Sequence, residues 1–336
     1  MAANIFDGST DSNWGTAANW SLNAVPTATD ANVATFDATS PACTVNASNR
    51  VCNGINFTGY TNTITMTFNI TVSGSVTLAA GMGIAGTGTL AVNATSTLTS
   101  NGKAWPNALS LTGTVTYTLA DNWDVDGLLT LGASTNIMVV NGFQITASNS
   151  LSCGTGGGNT SGTTNLILDG TGTLSSTSST ALLRNNLTIN TAGTITLGTN
   201  FAYGTGTLTY TAGTVVATSS TLTSSAATTF ACSGITWNNV TLTGAVTMTF
   251  NENMTLGGLL SLAISNQTLA LTGNTINAGG GVRYGGTTGT VSGTTVINVN
   301  GTGTLDGPSA TSGRINNPIT INAPGGTVTV AATFRI

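Results

Sequence analysis

The stretch SLTGTVTYTLADNWDVDGLLTL, Ser110 to Leu131, sets Val115, Tyr117 and Leu119 on one side of the chain and Thr114, Thr116 and Thr118 on the other. Alternation with a period of two is the pattern of a strand with one buried face. Similar runs fill the chain, and Gly or Asn interrupts them every six to twelve residues, as turns require. No window of 11 or more residues carries a helical apolar stripe, and no run of 18 apolar residues could form a membrane-spanning helix. An all-β, soluble chain is expected.

The pattern also recurs. GTTNLILDGTGTL, Gly162 to Leu174, returns as GTTVINVNGTGTL, Gly293 to Leu305, and the offset of 131 persists outside these segments. Val115 meets Val246, Leu131 meets Leu262, Ile145 meets Ile276 and Leu151 meets Val282. A shorter motif of type N-x-L-T-L starts at Asn53, Asn107, Asn185, Asn238 and Asn317, with apolar anchors Ile55, Leu109, Leu187, Val240 and Ile319. Consecutive anchors lie 54, 78, 53 and 79 residues apart. The chain therefore divides into an N-terminal segment 1–50, one repeat unit over 51–182, a second over 183–313, and a truncated third over 314–336 ending at Phe334 and Ile336.

A parallel β-solenoid and a pair of tandem antiparallel β-sandwiches both accommodate many short strands in a duplicated array. The solenoid is preferred because Asn and Gly fall where corners would lie, while Thr and apolar residues fall where they can stack in register. Blocks of 54 and 78 residues then divide into two and three coils of ~26 residues. Some eleven coils, each rising about 4.8 Å, would make a rigid, protease-resistant rod on the order of 50 Å long. Duplication would lengthen that rod without adding chemistry.

Composition sharpens this picture. Charged residues make up 5% of the chain, there are 44 Gly and no His, and Thr takes the solvent-facing positions that Lys and Glu hold in most proteins. A hydrophobic fraction of 40% is enough for a core. The net charge of -4, with Lys103 and five Arg scattered singly, leaves no phosphate-binding patch, so nucleic acid is not an expected partner. Uncharged faces associate easily, so a homo-oligomer is expected, a trimer ahead of a dimer.

Segment 1–50 stands apart. NWGTAANWSLNAVPTATDANVATFD, Asn13 to Asp37, concentrates Trp14 and Trp20 and leads into the alternating stretch NVATF. A solenoid must cover its terminal sheet edges, and this segment is read as that cap and as a candidate attachment surface. The order W-G-x-x-x-N-W-x-x-x-x-V-P-T-x-x-D-x-x-x-x-F, followed by Gly/Thr-rich β repeats, resembles autotransporter-type adhesin passenger regions and Gly/Thr-rich structural proteins of tailed bacteriophages. The stretch RVCNGINFTGYTNTITMTFNITVSGSVTL, Arg50 to Leu78, is similar to the phage group in particular. The resemblance transfers no catalytic residue. MAANIFDGSTDSNW, at the N-terminus, lacks the basic and apolar regions of a secretory signal, and AATFRI, at the C-terminus, is not followed by a membrane barrel, so assembly in a host cytoplasm is expected.

Catalytic options are few. Without His, and with Glu252 as the single Glu, only paired carboxylates remain. DNWDVDG supplies Asp121, Asp124 and Asp126; on a strand, Asp124 and Asp126 would share a face about 7 Å apart, the scale of a glycosidase pair or a Ca²⁺ site. The second unit has Thr255 and Gly257 at the positions of Asp124 and Asp126, so solvated surface acids are the plainer reading. No catalytic residue and no cofactor is assigned, and the three Asp remain the one metal candidate.

Trp105 and Trp237 match between units and are read as core residues in preference to sugar-stacking platforms. CGTGGGNTSG, Cys153 to Gly162, has no following Lys or helix and is read as turns. Cys43, Cys52, Cys153 and Cys232 include no CxxC, and buried thiols are preferred to disulfides for a chain assembled in the cytosol. The expectation for function is a non-enzymatic virion structural protein of a tailed phage: capsid decoration, fibre or spike. Its partners would be further copies of itself, other virion proteins and a host surface glycan, with no membrane insertion. A bacterial surface adhesin or extracellular fibre subunit is the alternative, and a depolymerase tailspike the third reading.

Overall fold

The computed structural model describes residues 3–334 apart from 30–31, 133–135, 155–157, 177, 179, 265–266, 286–287, 308–312 and 332–333. Part of the glycine-rich stretch after Cys153, and both Arg335 and Ile336, lie outside the described residues. The chain is all-β: a β-solenoid of about 13 turns built from parallel, stacked strands. The single antiparallel contact among the described residues is the isolated bridge between Phe6 and Trp20, so tandem antiparallel sandwiches are ruled out.

The chain forms two compact units, Met1–Asp169 and Gly170–Ile336. In the first, Arg50 pairs with Ile70, Ile70 with Leu90, Leu90 with Leu109, Leu109 with Leu129 and Leu129 with Leu151, at offsets of 20, 20, 19, 20 and 22 residues. In the second, Phe201, Leu222, Val240, Leu260, Val282, Leu305 and Val330 pair in turn at offsets of 21, 18, 20, 22, 23 and 25. These offsets correct the coil of ~26 residues and the count of eleven: the coil is shorter and the turns more numerous. The N-x-L-T-L motif misleads because its spacing is not a whole number of coils.

The offset of 131 carries strand onto strand. Thr116–Leu119 corresponds to Thr247–Phe250, Trp123–Val125 to Met254–Leu256, Leu129–Gly132 to Leu260–Ala263, and Ile137–Gly142 to Thr268–Gly273. The turn glycines correspond too. Gly142 and Gly273, and likewise Gly162 and Gly293, sit at positive φ between 103° and 127° with their Cα facing the backbone of the preceding coil, where a Cβ would collide. Only Gly combines that φ with that approach.

Most short strands point alternate side chains inward, where Leu109, Leu111, Leu129, Leu131, Leu151 and Cys153 stack out of solvent. The corners are tied by side chains that copy backbone bonds: Asn49 Oδ1 accepts from Asn69 N at 3.1 Å, and Asn69 Oδ1 from Thr89 N at 2.8 Å. Core tyrosines hand their hydroxyls to carbonyls, as Tyr117 does to Val92 O at 2.7 Å and Tyr203 to Asn185 O at 2.9 Å.

The N-terminal segment is part of this stack. Ala3–Ile5 pairs with Val33–Thr35, which pairs with Ile55–Asn56, all in parallel. Phe6, Trp14, Trp20, Phe36, Phe57 and Tyr60 pack ring on ring inside it, with Phe36 and Phe57 stacked at 4.9 Å and Trp14 edge-on to Trp20 at 5.0 Å. Trp20 Nε1 donates to Trp14 O at 2.8 Å.

Candidate functional site

The DNWDVDG segment lies on a corner of the first unit. Strand Trp123–Val125 buries Trp123 and Val125 and turns Asp124 outward, and Asp126 follows on the same outward side, as a period of two requires. Asp121 does something different. Its two oxygens accept from Ser100 N at 2.7 Å and Asn101 N at 2.6 Å, which fixes the turn 100–104 of the preceding coil.

The second copy repeats this arrangement. Glu252, one offset of 131 after Asp121, accepts from Ser233 N at 2.9 Å. The turns themselves match: Lys103 N donates to Ser100 O at 3.0 Å, and Ile235 N to Cys232 O at 3.2 Å. Trp105 and Trp237 follow two residues later, both fully buried, as expected of core residues. Asp121 is therefore a structural carboxylate of the repeated design, a role its sequence neighbours Asp124 and Asp126 concealed.

With Asp121 committed to backbone amides, Asp121, Asp124 and Asp126 do not converge on a metal. Among the described residues no group of three or more His, Cys, Asp or Glu is arranged to hold one. Stacking brings a different set together. Asp124 pairs with Thr146, and Thr146 with Ile167 on the next coil. One step along the corner, Ser148 Oγ donates to Asp169 Oδ1 at 2.8 Å. Partial burial raises the Asp124 carboxyl above the usual range, and the charges of Asp126 and Asp169 add to the shift.

These residues border a groove of about 320 Å³ whose walls include Lys103, Asn122, Asp124, Gln144, Thr146 and Asp169. Lys103 is the chain's one lysine, and four of its ten acids, Asp121, Asp124, Asp126 and Asp169, lie along this corner. The groove offers hydrogen-bond donors and acceptors side by side. Asp124 and Asp126 were legible from alternation, and Asn122 lies in the same segment, whereas Lys103, Gln144 and Asp169 lie 20 to 45 residues from Asp124 in sequence and meet it only through coil stacking. Stepping by one coil from Asp126 through Ser148 to Asp169 is the signal that finds them.

The four cysteines are buried free thiols. Burial pushes the Cys52, Cys153 and Cys232 thiols up to about 12 and Cys43 higher still, so none is a nucleophile in the folded chain. Comparison with protein-family models, curated proteins and solved structures gave no match to this chain.

Proposed function

We propose that the protein is a non-enzymatic structural component of a tailed-phage virion, serving as capsid decoration, fibre or spike. The observation that carries this reading is duplication of a parallel stack, strand for strand, at an offset of 131, while the outward carboxylates of the first copy are absent from the second. A chain under selection for one catalytic centre has no need of a second scaffold. One that must present a long, stiff, uncharged surface gains directly from copying its coils.

Two further features support it. Four buried free thiols suit a chain folded in a reducing cytosol, as virion proteins are. The resemblance of segment 13–37 and of Arg50 to Leu78 to phage Gly/Thr-rich proteins points the same way. Self-association through the Thr-rich faces, as a trimer, belongs to this proposal. Immunogold electron microscopy with antibodies against the purified protein tests it. Label on phage heads or tails is the expected result; label confined to bacterial surfaces supports the adhesin alternative and overturns the virion reading.

A further inference from the structure

Internal duplication supplies its own control. The two copies share strands, turns and the buried pair Trp105 and Trp237, so polar residues present in one copy, absent from the other and gathered in one place serve something besides the fold. The groove in the first unit meets that description. Asp124 is replaced by Thr255, Gln144 by Thr275 and Asp169 by Asn300 at the offset of 131. Lys103, two positions before Trp105, is matched by Ile235, two positions before Trp237. The same turn that buries Ile235 to 1% exposure in the second copy carries Lys103 at the groove wall in the first.

The lining states what it can hold. Lys103, Asn122 and Gln144 donate, Asp124 and Asp169 accept, and Thr146 does both, all on coils spaced about 4.8 Å apart along the corner. Carboxylates accept from adjacent hydroxyls, and amides serve ring and hydroxyl oxygens. Beneath them Trp123, 1% exposed, belongs to the same groove and keeps an indole N–H without an acceptor. An adjoining groove of about 290 Å³, reached past Asn101 and bordered by Tyr60, Leu78 and Ala79, extends the track towards the N-terminal coils with a more apolar surface. Phe143, 55% exposed and next to Gln144, offers a ring face on the same turn, and its counterpart is Asn274. Two carboxylates against one ammonium make the lining acidic, which disfavours phosphorylated, sulfated or uronic polymers.

We infer that this groove binds a short segment of a neutral, hydroxyl-rich glycan. The site exists once per chain, in the first unit. The inference stands apart from the virion reading: particle composition tests that, and sugar binding tests this.

The experiment is isothermal calorimetry of the full-length protein against neutral hexasaccharides of glucose, mannose, galactose and N-acetylglucosamine, with uronic and sulfated hexasaccharides alongside. The expected result is a dissociation constant tighter than about 1 mM for at least one neutral sugar. The triple variant Lys103→Ile, Asp124→Thr, Asp169→Asn, which installs the second copy's side chains, should weaken it at least tenfold. Asp306→Asn in the second unit should leave it unchanged. Absence of binding to every neutral sugar, binding of the acidic sugars alone, or equal binding by the triple variant with its circular dichroism intact, each overturns the proposal.

Discussion

Asp121 and Asp124 are three residues apart and do opposite things. Asp121 closes two backbone amides of the neighbouring coil, so Asp121→Ala should cost about 1–2 kcal/mol in denaturant unfolding, and Glu252→Ala, which loses one exposed bond, should cost less in the second copy. Asp124 is penalised by the fold. Its carboxyl is raised in the folded state, so the penalty is absent below the unfolded value, grows as pH rises through the folded value, and is complete above it. Asp124→Asn should therefore equal or exceed the wild type in melting temperature at pH 7, with any gain vanishing near pH 3. Asp11 and Asp37 have the reverse sign. Hydrogen bonds, chiefly from the Asn13 backbone and Asn19 side chain to Asp11 and from Thr39 to Asp37, hold both below the ordinary 3.8. Their contribution is present above that value and lost as pH falls through the lowered one. Hydrogen exchange in residues 5–45 should rise selectively below about pH 3.8; uniform exchange across the chain would contradict this. The thiols give a sharper test: iodoacetamide at pH 8 should label none of the four cysteines in the folded protein and all four in guanidinium.

At the scale of the element, the strand alternation was legible because the inward and outward positions differ so cleanly: Leu against Thr, as in Leu109–Thr112 and Leu129–Gly132. The coil length was not. It is set by which residues pair across coils, and it drifts from 18 to 25 because corners of Gly, Asn and Ser absorb insertions without changing the strands. The groove was half legible for the same reason: local alternation places Asp124 outward, but only the pairing offset reveals that Gln144, Thr146 and Asp169 lie beside it. Turn glycines locate the strictest constraint on the coil. Gly162→Ala places a Cβ against the Val140 carbonyl at φ 127°, whereas Gly102 has φ 74° and open space around it. Gly162→Ala should lower stability by roughly 2–4 kcal/mol and Gly102→Ala by about 1 kcal/mol. Equal costs in urea titration would show that the close approach between coils is not limiting.

Across the whole molecule, charge is nearly absent as a stabilising device. The one ion pair among the described residues, Arg283 with Asp306 at 3.8 Å, is more than 40% exposed on both sides and contributes little. Burial and backbone pairing carry the fold, so stability should change little between 0.05 and 0.5 M NaCl. The same scarcity of charge removes the repulsion that keeps copies apart. Light scattering should report a mass of three 33.3 kDa chains, and a monomer at all concentrations would rule out self-association. A structural role in a tailed-phage particle can be checked by quantitative mass spectrometry of density-banded virus particles from the source culture. This chain is expected in the particle band at a fixed ratio to the major capsid protein, hundreds of copies for a capsid-covering role and a few to a few dozen for a fibre or spike. Its absence from that band, with the protein recovered on cells or in the medium, would contradict it.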